Sequence, residues 1–338
     1  MRRSIDRVLH GAAILAVVCT TGASVAHAAN GVDPFKQVKQ MKRGVNILGY
    51  DPLWKNFKEG RFRERHFKLI KKGGFQTVRI NLHGFDHMDS TGKLDESFLH
   101  TLDWAVQNAL SNKLYVILDL HNYTDFAKDP VGYRPKFLAF WRQIAPRYKD
   151  ASNHVLFEIL NEPNGELTPQ LWNEYLREAL AIIRETNPTR NVIIGPPFWN
   201  TFDHLKELDL PKEDRHIIVT IHYYLPMSFT HQGALWAPEW VHFSGVRWGT
   251  EAERRKVVED FGQAQEWAKA NHRPILLGEF GAYDKGDMES RAAYTAHVVR
   301  TAESLGWAWT YWQFDPDFIV FDMERDQWVK PIWKALIP

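Results

Sequence analysis

The chain has 338 residues with 42 basic and 41 acidic side chains, a formal net charge of +1, and fourteen Trp, eleven Tyr and twenty Phe. Near-neutral charge without a basic surplus excludes an electrostatically driven nucleic-acid binder, and the length suits one large α/β unit with a full core. The only cysteine, Cys19, lies in the first thirty residues.

Those residues read as a secretory signal. Arg2, Arg3 and Arg7 precede a short apolar core at 11–20, and Ser24-Val25-Ala26-His27-Ala28 places small residues where a signal peptidase needs them. Cleavage is expected after Ala28, giving a signal peptide at 1–28 and one catalytic domain at 29–338. The product would be secreted or periplasmic, cysteine-free and of net charge −1. No later segment has the roughly 20 apolar residues of a membrane helix, so no membrane association is expected after cleavage.

Along the rest of the chain, short apolar runs alternate with stretches of helical spacing. The runs are 44–48, 77–82, 114–120, 155–160, 191–195, 216–222, 275–280 and 307–312. Between them Phe98, Leu102, Ala105 and Ala109 keep one face apolar, as do Trp172, Tyr175, Ala179 and Ile183, and again Tyr294, Val298, Thr301 and Leu305. Thr168 before Pro169 predicts a helix start, Thr250 with Glu253 a capping box, and Gly306 a helix end. Only a short helix fits between the fifth and sixth runs, and the segment 225–249 is a long loop of the kind that often carries function.

Eight such repeats predict a single-domain (β/α)8 barrel. A doubly wound open sheet is the alternative, but Gly49-Tyr50-Asp51-Pro52 after the first run lacks the G-x-G-x-x-G of a dinucleotide fold. In a barrel, the site lies where the strands end at their C-termini. Those ends carry Arg79 and Asn81, His121 and Asn122, Asn161-Glu162, His222 and Tyr224, Glu279, and Trp312. Each has a structural reading alone: an ion pair at the core edge for Arg79, core histidines, a packing tryptophan. On one face of six strands they point to a site.

Leu156-Phe157-Glu158-Ile159-Leu160-Asn161-Glu162-Pro163 is an apolar strand delivering a carboxylate where proline stops the ladder, and Pro274-Ile275-Leu276-Leu277-Gly278-Glu279-Phe280-Gly281 repeats the pattern. Two carboxylates on facing strands are what glycosidic bond cleavage requires, at a separation of about 5–5.5 Å in the retaining mechanism. A zinc site has no H-E-x-x-H and no mature cysteine to support it, and the strand-end histidines are not spaced as a ligand set. A serine triad has no G-x-S-x-G elbow.

Arg79, His121, Asn161-Glu162-Pro163, His222-Tyr223-Tyr224, Gly278-Glu279-Phe280-Gly281 and Trp312, in this order and spacing, resemble glycoside hydrolase family 5. The segment 221–234 is similar to that family's bacterial endo-β-1,4-glucanases, and the likeness runs from about Gly44 to Trp333. The resemblance implies retaining hydrolysis of a β-glucan polysaccharide or oligosaccharide by a monomer without metal or cofactor, with Glu162 as acid/base and Glu279 as nucleophile. Arg79 is then expected to favour ionised Glu279, and a neighbouring carboxylate to raise the pKa of Glu162. Asn161 is expected to bond the sugar 2-hydroxyl, Tyr224 and His222 to orient the nucleophile, His121 to bind sugar or steady the site, and Trp312 to be the floor under the sugar ring. Trp199 after the fifth run and Trp236 in the long loop are candidate subsite aromatics with equally good structural readings. The chain departs from the family's common pattern at Asn81, often Pro, and at Asn122, often His, both beside the site. Mannanases and mixed-linkage or β-1,3-glucanases share the same pair of glutamates, and a non-catalytic carbohydrate-binding barrel is the reading from another class.

Overall fold

The computed structural model describes residues 31–338, so the expected signal segment lies outside the described residues. The eight apolar runs are strands β1 (Arg43–Ile47), β2 (Thr77–Leu82), β3 (Tyr115–Leu120), β4 (Val155–Glu158), β5 (Val192–Ile194), β6 (Ile217–Tyr223), β7 (Ile275–Phe280) and β8 (Ala308–Tyr311). All neighbours pair in parallel, and β8 returns to β1, closing the barrel in sequence order. Seven of the expected spans agree with these to within one residue at each end. The fourth is the exception, because pairing stops at Glu158 and the chain turns off the ladder before it reaches Glu162.

Helices cover the outside. Pro169–Thr186 starts at the Thr168 cap, and its buried stripe includes Trp172, Tyr175, Ala179 and Ile183. Glu251–Asn271 opens on the Thr250–Glu253 capping box. Gly306, with φ 78°, ends the turn after Met288–Ser304, a conformation that glycine adopts without strain. Between β5 and β6 there are only the irregular turn Pro197–Asn200 and the 3-10 stretch Phe202–Glu207. Among the described residues no helix is long and apolar enough to cross a membrane.

Every residue of β2, β3, β6 and β7 is buried, but the period-2 pleat divides them between two environments. Outward-facing Val78, Ile80, Val116, Leu118, Phe157 and Trp309 join the layer between strands and helices. Inward-facing Ile117, Leu156, Ile193, Ile218, Leu276 and Ala308 fill the barrel floor, closed from below by Val38 and Met41 of the helix Pro34–Met41. One pleat repeat further along the strands, the inward positions become polar: Asn46, Arg79, Asp119, Glu158, Thr220 and Thr310. The candidate site therefore rests on a buried polar layer, which in turn rests on an apolar plug.

Candidate active site

Arg79 is completely buried at the centre of that polar layer. Its guanidinium has five N–H donors and uses each. Nε and Nη2 grip Glu158 at 2.7 and 2.8 Å, Nη2 also reaches Asn161 Oδ1 at 2.8 Å, and Nη1 reaches Asn46 Oδ1 at 2.8 Å and Glu279 Oε1 at 2.6 Å. Asp119 Oδ2 lies 3.1 Å from Nη2 as an ion-pair partner, and accepts from Asn81 at 3.1 Å and pairs with His121 Nδ1 at 2.6 Å. One cation thus ties together groups from β1, β2, β3, β4 and β7, and sets both Asn161 and Glu279 in register with the barrel.

Glu279 is held a second time by the Tyr224 hydroxyl, which donates to Oε2 at 3.0 Å. Glu162 arrives differently. It stands four residues beyond the last residue of β4 in a left-handed conformation, φ 41°, and its side chain is 14% exposed against 6% for Glu279. His222 Nδ1 joins the two acids, 2.8 Å from Glu162 Oε1 and 3.7 Å from Glu279 Oε2. The expected role of His222 was to orient the nucleophile; its closer partner is Glu162.

Burial pushes Glu162 up to about 8, with Asp119 and Glu158 adding to the rise and Arg79 opposing it. Burial also pushes Glu279 up, to about 7, against the pull of His222 and Arg79. Arg79 favours ionised Glu279 as expected, but desolvation outweighs it, and desolvation rather than the second glutamate is the main cause at Glu162. The order of the pair is what acid–nucleophile chemistry needs: Glu162 keeps its proton at a pH where Glu279 has begun to lose its own.

The described cleft around these groups has a volume of about 300 Å³ and is lined by Tyr50, His121, Tyr123, Asn161, Glu162, Tyr224, His231, Trp236, Glu279, Trp312, Gln313, Asp317 and Phe318. A more open groove of 620 Å³ lies on the flank around Phe57, Lys68 and Trp104, with no pair of carboxylates and none of the strand-end groups. Trp312 is in the cleft wall with one face stacked on His121, ring centroids 5.5 Å apart and planes within 6°. Trp312 is 8% exposed and also meets Tyr50 edge-on, so little of its ring is open to the cleft. Trp236 is 53% exposed and lines the cleft beside His231 and Phe318. Trp199, 49% exposed, is not among the lining residues; its backbone N–H donates to Pro163 O at 3.1 Å, which places it next to the Glu162 turn.

Asn81 belongs to the polar layer, bonding Asn46 and Asp119, and Asn122 accepts from the Phe85 backbone N–H at 2.9 Å. Both departures from the common pattern have internal partners. Sequence reasoning gave no role to Asn46, Asp119 or Glu158, although Asp119 stands at the end of the third run. Glu158 carried a signal: a charge inside an otherwise apolar buried run needs a partner of opposite sign, and Arg79 was the strand-end cation available.

Glu162, His222 and Glu279 each offer one donor atom, all within 4.8 Å of one another. Of the strand-end histidines only His222 joins this cluster; His121 does not. The Arg79 guanidinium lies 2.6 Å from Glu279 Oε1 and places a positive charge beside the cluster.

A closed parallel barrel with two carboxylates joined at its mouth defines the class. The chain belongs to glycosyl hydrolase family 5: residues 37–318 match the family described as Cellulase (glycosyl hydrolase family 5). It is 31% identical to endoglucanase H of Acetivibrio thermocellus over 318 residues, 90% of this chain and 34% of that protein. The chain spans 34%, 49% and 53% of the lengths of three of the curated relatives it matches. Among solved structures it resembles Thermotoga maritima Cel5A in complex with cellobiose, with 40% identity, TM-score 0.86, and 90% of this chain and all of that chain covered. The mannotriose complex of Cel5A matches equally well, at 39% identity and TM-score 0.86, again over 90% of this chain and all of that chain. The cellulose synthase subunit Z, CcsZ, of Clostridioides difficile matches at 37% identity and TM-score 0.84, over 88% of this chain and all of that chain.

Proposed function

We propose that the protein is a retaining endo-β-1,4-glucanase in which Glu162 is the acid/base and Glu279 the nucleophile. The observation that carries this reading is the pair itself: two glutamates in the cleft at the strand ends, Glu162 in hydrogen-bond contact with His222 Nδ1 and Glu279 held by Arg79 and Tyr224. In the first step a Glu279 oxygen attacks the anomeric carbon while the bond to the leaving oxygen breaks and that oxygen takes the proton of Glu162. In the second, the Glu162 carboxylate accepts a proton from water as the water oxygen attacks the same carbon and Glu279 departs.

The surrounding groups fit these roles. With Asn161 Oδ1 held by Arg79, its amide nitrogen is the donor left for a sugar 2-hydroxyl. Trp312 in the cleft wall and the exposed ring of Trp236 supply apolar surface for pyranose C–H groups. A β-glucan is supported by the Cel5A–cellobiose likeness, and the mannotriose complex of the same enzyme favours β-mannan as the second reading. Likeness to CcsZ supports a place beside cellulose synthesis, and the N-terminal segment supports export.

The test is release of reducing ends from carboxymethyl-cellulose, barley mixed-linkage glucan, β-mannan and laminarin, with Glu279→Gln as control and with EDTA present or absent. Release from the first two, abolished in the variant and indifferent to EDTA, is the expected result. Release from β-mannan alone would replace the substrate, and silence on all four would overturn the reading.

A further inference from the structure

After β5 the chain makes a turn that L-residues avoid. Phe198, Trp199 and Asn200 have φ of 57°, 59° and 56°, three left-handed residues in succession, none of them glycine. A run of such residues is disfavoured by the contact of each Cβ with its own backbone, so it persists where the surroundings hold it, and those surroundings are often functional. Here the turn sends consecutive side chains in opposite directions: Trp199 outward, and Asn200 inward to complete burial. The inward path exists only because residue 195 is glycine, for a Cβ there would stand 2.1 Å from Asn200 Oδ1. Thr201 then pairs with His222 in a parallel bridge, fixing the turn against β6.

The Asn200 carboxamide ends beneath the His222 ring, with Nδ2 3.4 Å from His222 Nε2. Its Oδ1 has no hydrogen-bond partner among the described residues. At the other end of the ring Nδ1 faces the carboxylate oxygens of Glu162 and Glu279, which accept, so a proton on Nδ1 together with an Asn200 N–H directed at Nε2 suits both contacts at once. Asn200 is therefore the donor and Nε2 the acceptor. A neutral imidazole that accepts at Nε2 carries its proton on Nδ1, the nitrogen that faces Glu162 and Glu279.

We infer that Asn200 is a positioning residue that fixes the tautomer of His222, so that a single Nδ1–H serves both glutamates in turn. This rests on the proposed roles of Glu162 and Glu279. Before attack Glu162 is protonated and Glu279 ionised; once the glycosyl-enzyme forms, Glu279 is an ester and Glu162 carries the charge. The Nδ1–H, 2.8 Å from one and 3.7 Å from the other, can meet whichever carboxylate is negative. With the other tautomer, the Nδ1 lone pair would accept the proton of Glu162 and oppose its transfer to the leaving oxygen. The charged groups facing His222 are Glu162 and Glu279 at the rim and Arg79, Glu158 and Asp119 from the layer below; burial holds the imidazole below its ordinary pKa, in the neutral form that has a tautomer to choose.

The test is long-range ¹H–¹⁵N correlation of protein labelled at histidine, with the His222 signals assigned by their loss in His222→Gln. The wild-type ring is expected as the Nδ1–H tautomer at neutral pH, a reading that needs no Asn200 variant. Asn200→Gly keeps a left-handed backbone and should release the ring to a mixture of tautomers. Asn200→Asp keeps the shape but replaces the donor by an acceptor, so the proton should appear on Nε2, and kcat should fall by about 10²-fold with KM unchanged. Wild-type His222 in the Nε2–H form, or an Nδ1–H tautomer unmoved by Asn200→Asp, would overturn the inference. If no glycan is hydrolysed yet the tautomer moves as stated, the glycosidase reading fails while the assignment of Asn200 stands.

Discussion

Glu162 and Glu279 show how one scaffold gives two identical side chains different surroundings. Both lose most of their water, which raises both; Arg79 and Tyr224 hand Glu279 two donors, while Glu162 has the one imidazole contact. The rate should therefore follow a bell in pH. Its acid limb is the ionisation of Glu279 near 7 and its alkaline limb the loss of the Glu162 proton near 8, the two steps belonging to the coupled pair. Initial rates from pH 4 to 10 check this, and a maximum near pH 5 would contradict the balance in which burial outweighs Arg79. Truncation separates the roles as well. Glu162→Ala should retain turnover of substrates with good leaving groups and be rescued by azide, whereas Glu279→Ala should lose first-step turnover of every substrate; the reverse pattern would exchange the two residues.

Among the elements, the loops at the C-terminal ends of the strands decide how far the cleft reaches. The long segment after β6 brings Trp236 into the cleft wall, while the left-handed turn after β5 holds Trp199 outside the lined cleft. Trp236→Ala should raise KM for a long oligosaccharide by roughly 2- to 10-fold, the worth of one aromatic contact, with little change in kcat. Trp199→Ala should do less, and equal effects would mean that the cleft extends over the β5 turn. Much of this architecture was legible in the sequence. Alternating apolar runs and helical stripes gave the barrel, and Thr168, the Thr250–Glu253 box and Gly306 gave helix ends, because those signals are local. The polar layer was only partly legible: Glu158 stood out as a charge inside an apolar run, but the layer it joins did not. Asp119 and Glu158 sit in runs that are apolar on average, and only the closing of eight strands decides that their side of the pleat faces Arg79. The left-handed turn at Phe198, Trp199 and Asn200 had no sequence mark either, since no glycine signals it; it arises from packing against β6 and the space left by Gly195.

Across the molecule, the buried acids are a stability cost. A carboxyl raised from its ordinary range to about 8 binds its proton more tightly in the folded than in the unfolded chain, so between the two pKa values stability falls as pH rises. The cost is absent below the unfolded value and complete above the folded one. Glu162→Gln, which keeps the shape and removes the charge, should therefore unfold at a higher temperature than the wild type at pH 9, by on the order of 2 kcal/mol, or several degrees, and at about the same temperature at pH 4. Equal melting temperatures at pH 9 would mean that the carboxylate is not desolvated as the structure describes.

The proposed function stands or falls on a bond between Glu279 and the sugar. Incubating the protein with a 2-deoxy-2-fluoro-β-cellobioside bearing a good leaving group, then locating the adduct by peptide mass spectrometry, looks for that bond itself. The electron-withdrawing fluorine slows breakdown of the glycosyl-enzyme, so a retaining enzyme accumulates it. One fluoro-cellobiosyl group is expected, on the peptide containing Glu279. An adduct on Glu162, or turnover of the reagent with no adduct formed, would contradict the assignment.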